Sequence, residues 1–145
     1  MADIIFHNYM TLEAEKEIDL ENDSLIIVLL ADTYSPSVDH TQYSDVSGHE
    51  LATANGYTQK TKALANVTVT DDDANDRANV DCDDISWTAS GGSITARYAA
   101  VIDDSVTDDP LVYLFDFGEN KTAGDGTDFK ITIDDTNGWF YKAQA

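Results

Sequence analysis

Leu25-Ile26-Ile27-Val28-Leu29-Leu30 is apolar at every position. An extended segment of this kind has both faces covered, one by the core and the other, on this reading, by the N-terminal helix. From Gly56 onward the pattern changes to alternation. Val67 and Val69, then Ala78, Val80 and Cys82, alternate with polar residues, and Ile85 and Trp87 fall on the opposite parity. The phase slip at Asp83-Asp84 predicts a bulge or a corner between two strands. Ile94, Ala96, Tyr98, Ala100 and Ile102 read as one continuous face, as do Leu111, Tyr113, Phe115 and Phe117, and later Phe129, Ile131 and Ile133. Turn residues recur between these runs, at Asp71 to Asn75, Gly91-Gly92, Asp103 to Pro110, Gly118 to Asp128 and the hairpin pair Asn137-Gly138, after which Trp139-Phe140-Tyr141 closes the sheet. The spacing predicts an all-β, antiparallel β-sandwich of jelly-roll-like form. No helices separate the strands, so parallel βαβ units are excluded.

Two segments depart from the strand pattern. Residues 1–20 form an N-terminal segment with a short helix, carried by Leu12 to Glu17 and capped by Thr11 or Asn8. Residues 31–56 are long and polar, an excursion loop after the first strand with a helical turn near Thr41 to Val46. A loop of that length in a small domain is usually functional or mobile. The whole chain, 1–145, reads as a single domain.

Composition narrows the function. Eight Lys and Arg stand against 28 Asp and Glu, a formal charge of −20. Nucleic acid is a poor partner, because duplex binding needs cations to displace counterions, and an anionic membrane is disfavoured on the same ground. The longest apolar run is too short to span a bilayer. The first residues carry neither a basic region nor a long apolar core, so the expectation is a chain made and kept soluble in a cytoplasm. Cys82 is the only cysteine, which excludes an intrachain disulfide, and its apolar parity assigns it to the core.

Candidate chemistry is sparse. Asp71, Asp73, Asn75 and Asp76 resemble the first half of a calcium loop, but Asp76 occupies the glycine position and Cys82 the place of the bidentate Glu. A looser calcium site there competes with a plain acidic turn. His7, His40 and His49 belong to no nucleophile or metalloprotease motif and read as loop histidines. Trp87 and Trp139 are assigned inward, while Tyr34, Tyr43 and Tyr57, in or beside the long loop, are candidates for contact with a partner. No nucleophile, base and orienting group stand together, so the expectation is a protein that is not an enzyme.

Several strings carry a resemblance: Ile18 to Leu25 running into Ile26 to Leu30, then Tyr34-Ser35-Pro36, Asp39-His40, Gly56-Tyr57 and Asn75 to Ala78, followed by Asp83-Asp84-Ile85-Ser86-Trp87, Ile94 to Ala99 and Asp116-Phe117-Gly118. Together they cover roughly residues 15 to 135. This pattern resembles a family of small structural proteins of tailed bacteriophages, some of them capsid decoration or cement proteins. The departures are the many additional Asp residues and the long Asp103 to Pro110 connection. The resemblance implies a virion component on the capsid surface, made in the host cytoplasm. Its partners would be the major capsid protein and copies of itself, as a dimer or trimer at a symmetry axis. Contacts are expected from Ile4, Ile5, Phe6, Tyr9 and Met10 and from the Tyr34 to Tyr57 loop. The alternative for the N-terminal segment is a helix packed on its own sheet. The rival function is a tail or fibre component that binds a host glycan, with calcium as its cofactor.

Overall fold

The computed structural model describes residues 3–136 and 138–143. In chain order the strands are β1 (Ile4–Ile5), β2 (Leu25–Leu30), β3 (Lys62–Ala63), β4 (Thr68–Asp72), β5 (Arg77–Asp81), β6 (Ile85–Thr88), β7 (Ile94–Asp103), β8 (Leu111–Ala123), β9 (Asp128–Ile131) and β10 (Phe140–Ala143), and helix α1 is His7–Ala14. Every pairing is antiparallel. A five-stranded sheet of order β1-β8-β7-β2-β3 packs against a layer made of β10-β5-β4 and β6-β9. The all-β sandwich with a short N-terminal helix is therefore what the chain forms. Its strands divide five against three plus two, so the likeness to a jelly roll stops short of two four-stranded sheets.

The corner at Asp83-Asp84 is where the chain leaves β5 and its sheet and enters β6 in the other. Asp84 fixes it, accepting the Ile133 amide at 2.8 Å and pairing with Lys130 at 3.0 Å. Trp87, Trp139 and Cys82 are buried in the main core, as their parity indicates.

The two long faces read from β7 and β8 are not continuous. In β7, Ile94 and Ala96 face the main core, but Tyr98, Ala100 and Ile102 face the other side of the sheet. A register shift between Ala96 and Tyr98 leaves Arg97 unpaired and reverses the phase. A second shift skips Val112, so Leu111 and Leu114 also fall on the far side while Tyr113 and Phe115 face the core.

The far side is buried too, which is why β2 is apolar on both parities. Its cover is not α1 but the excursion loop: Tyr34 and Val46, joined by Phe6, pack on Ile26, Val28, Leu30, Ile102 and Leu114. The helix turns the other way and sends Tyr9 into the main core, edge-on to Phe140. Phe6 stands at its N-cap without a side-chain cap bond, so Asn8 and Thr11 lie within the helix. Lys16, at φ +66°, ends the turn that follows. Asn137 of the expected hairpin turn lies outside the described residues, as do Met1 and Ala2.

Candidate interaction surface

The excursion loop is fastened rather than free. Glu50 is buried, and its carboxylate accepts the Tyr43 hydroxyl at 2.5 Å, the Tyr57 hydroxyl at 2.6 Å and the Lys60 amide at 2.9 Å. Tyr57 in turn accepts the Leu29 amide at 3.0 Å, which ties the cluster to β2. Burial, reinforced by the Glu50 carboxylate, raises both phenols far above their usual range, so each stays a donor at any working pH. Lys60 lies over the Tyr43 ring and pairs with Asp109 at 2.5 Å. Farther along the loop, the Tyr34 hydroxyl meets His40 Nδ1 at 2.7 Å, and Thr33 meets His49 Nδ1 at 2.9 Å. His7 approaches Asp39 at 3.4 Å.

These contacts correct the expected interface. Phe6, Tyr9, Tyr34 and Tyr57 are 0, 1, 3 and 2% exposed, so they offer no area to a partner. Each aromatic has a larger apolar area to bury inside the chain than a small loop could shield outside it. Ile4, Ile5 and Tyr43 are half-buried, and of the eight only Met10, at 47%, is exposed. The N-terminal segment is thus a helix packed on its own sheet.

The expected calcium turn is the β4–β5 hairpin. Its organiser is Asp72, which was not among the four candidates. Its carboxylate accepts Asn75 at 2.8 Å, Asn79 at 3.2 Å and Arg77 at 3.2 Å. The Asn75 bond, with those from Asn79 and Arg77, holds its pKa below the usual carboxylate value. Asp71, Asp73, Asn75 and Asp76 do not converge, because a tight hairpin splays alternate side chains apart. Among the described residues no three His, Cys, Asp or Glu side chains come together as a metal would need.

Two features escaped the sequence reading. The first is Asp103 at the end of β7, fully buried. Its Oδ1 accepts the Ser105 amide at 2.9 Å, and no donor N–H reaches Oδ2. Burial, together with the neighbouring Asp23 carboxyl, pushes its pKa up to about 7. No local signal in the sequence separates it from the other paired Asp residues.

The second is an open groove of about 650 Å3 between the outer half of β8 and β9. Phe115, Phe117, Phe129 and Trp139 form its floor, with Phe115 stacked on Trp139 at 6.1 Å and Phe117 tilted on Phe129 at 5.8 Å. Phe115 and Phe117 point toward the main core but stay half-exposed, because the facing layer is open there between β9 and the arc leading to Trp139. Asp3, Asp128, Lys121 and Lys130 stand on its rim. Comparison with protein-family models, with curated proteins and with solved structures finds no match to this chain.

Proposed function

We propose that this chain is a structural component of a bacteriophage virion, a head decoration protein that binds the major capsid protein shell, meets copies of itself there, and catalyses no reaction. Two things support the reading. The strings that carry the phage resemblance sit at the joints of the sandwich: the Asp83-Asp84 corner, the β4–β5 hairpin, and the Asp116-Phe117-Gly118 stretch beside the β7 irregularity.

The observation that carries the reading is the disposition of charge. Six of the eight Lys and Arg side chains pair with carboxylates of the same chain: Lys60, Arg77, Arg97, Lys121, Lys130 and Lys142. A seventh, Lys62, lies over the Trp87 ring. Apart from the buried Glu50 and Asp103, most of the surplus carboxylates are left to face outward. Free copies then repel one another, and docking requires a basic, partly apolar surface on the partner. A chain that binds only the closed shell opposes its opening by linkage.

The test is the number of copies per particle, measured by quantitative mass spectrometry of purified virions, with sedimentation of added protein onto empty shells. Hundreds of copies per particle and saturable, salt-sensitive binding to shells are expected. A handful of copies would place the chain in the tail or collar and overturn the head assignment.

A further inference from the structure

We propose that the groove between β8 and β9 is a strand-addition site, filled by an extended segment of the shell protein in which apolar residues alternate with Lys or Arg. The source of the segment rests on the reading above; the chemistry of the site does not.

The first observation is edge-on geometry. Seven consecutive residues, Asp128–Asp134, line the groove, so both parities of β9 and its continuation face it. A strand that presents both parities to a cleft presents its backbone edge. Among the described residues β9 is paired on one side only, to β6, and its continuation is bridged to Gly138 only at Asp134. On the opposite wall, β8 is paired by β1 only at Tyr113 and Leu114, and its outer edge runs on unpaired from Phe117 among the described residues. Alternate residues of an antiparallel edge turn their N–H and C=O outward, where an added strand completes the ladder. Folded chains usually blunt such edges with proline, a bulge or a covering loop. Here the long loop covers the other side of the molecule instead.

The second observation is the floor. An added strand would point every other side chain down onto Phe115 and Phe117, which are apolar and half-exposed, beside the buried ring of Phe129. Its remaining side chains would point outward past the rim.

The third is charge. Lys121 and Lys130 on the rim are already engaged, by Glu119 at 3.0 Å and by Asp84 at 3.0 Å. Asp3 is held by the Tyr113 hydroxyl at 2.7 Å and the Asp116 amide at 2.7 Å, and Asp128 by the Thr88 hydroxyl at 2.7 Å. These donors are neutral and offset none of the formal charge. The rim is therefore net negative within a chain of charge −20, and the outward residues of the added strand are expected to be basic. A glycan would use the same aromatic floor but has no use for two open strand edges.

The test uses the full chain and three capped octapeptides of equal charge: alternating Val and Lys, alternating Gly and Lys, and the Val-Lys peptide N-methylated on the amides of one edge. Binding is followed by calorimetry and by amide chemical shifts. The Val-Lys peptide is expected to bind with shifts confined to residues 115–123 and 128–134, and to slow amide exchange in β9. Both controls are expected to bind at least tenfold more weakly. Equal binding of all three peptides would reduce the effect to bulk charge and overturn the proposal. So would absence of binding, or displacement of the shifted residues by an oligosaccharide with no response to N-methylation. Phe117→Ser should weaken the Val-Lys peptide about tenfold; if that variant does not fold, the N-methyl comparison on the unmodified chain decides alone. Strand addition with no binding to shells would overturn the virion reading and leave this one standing, and shell binding without strand addition would do the reverse.

Discussion

Replacing Asp103 by Asn isolates a fully buried carboxyl whose pKa the fold raises. Folded, Asp103 holds its proton up to about pH 7; its ordinary value is 3.8. Between those values the folded state binds a proton that the unfolded state has released, so stability falls as pH rises through this window. Above it both states are deprotonated and the penalty is constant. One pKa unit corresponds to about 1.4 kcal/mol, so a comparison of pH 5 with pH 8 spans about 2 to 3 kcal/mol of lost stability in the unmodified chain. Asn at this position keeps the shape of the carboxyl, but it does not ionise. The assay is urea denaturation of both chains at pH 5 and pH 8, with tryptophan fluorescence as the readout. Trp87 and Trp139 are both buried, so unfolding changes their signal. Asp103→Asn should stabilise the chain by about 2 to 3 kcal/mol more at pH 8 than at pH 5. General repulsion among the carboxylates also weakens the fold as pH rises, but it acts on both chains and is screened by salt, whereas the desolvation of the buried Asp103 carboxyl is not. Stability curves that run parallel from pH 5 to pH 8 would refute the reasoning, since they would mean that Asp103 ionises in the folded chain as it does in water.

Three further outcomes follow from the packing. Glu50→Ala removes the acceptor of two phenols and an amide, and should cost about 2 to 4 kcal/mol in urea denaturation, with Glu50→Gln recovering part of the loss. Gly56→Ala places a Cβ 2.1 Å from the Thr88 carbonyl oxygen at φ +89°, so it should lower the thermal midpoint by many degrees, equivalent to more than about 2 kcal/mol. Cys82 is 7% exposed, and its pKa is pushed up to about 12 by burial and by the Asp81, Asp83 and Asp84 carboxylates. At pH 8 it should resist a thiol reagent in the folded chain and react fully in 6 M guanidinium; rapid labelling of the native protein would contradict its core position.

The class of fold was legible because period-2 alternation and turn residues are local properties. The corner at Asp83-Asp84 was legible for the same reason, as a visible loss of phase. The phase change at Arg97 was not. Ile94 and Ala96 before it, and Tyr98, Ala100 and Ile102 after it, are all apolar, and both faces of the sheet are buried there. An alternation that is apolar on each side of a bulge looks unbroken. The same two-sided burial misdirected the interface: Tyr34 and Tyr57 sit in polar surroundings in the sequence, and what buries them is strand β2 and its neighbours, distant in the chain. Glu50 lies seven residues from each of its tyrosine partners, a spacing that matches neither helix nor strand. The acidic turn at Asp71 to Asp76 was located correctly but given the wrong organiser, because the spacing of a calcium loop says nothing about the curl of a two-stranded hairpin.

The chain closes itself almost everywhere it could have been left open. The excursion loop covers one whole side of the five-stranded sheet, and Glu50 locks it down with three donors. Cations that could have balanced the surface are drawn onto carboxylates of the same chain. The half-exposed stretch of Phe115 and Phe117 is, like Met10, Val69 and Tyr141, a place left open, and its position has a structural cause. The β7–β8 register jumps from Ala96 opposite Lys121 to Tyr98 opposite Asp116, which gives β8 surplus residues and carries it past the end of the strands that could cover it. Closing the gap would need a strand beside β9, and the chain supplies only the arc from Thr132 to Asp134 and Trp139. A sequence that elsewhere commits a loop of some twenty-five residues to covering one sheet face, yet here sets two half-exposed aromatic rings beside two open strand edges, is organised to receive a strand from another chain.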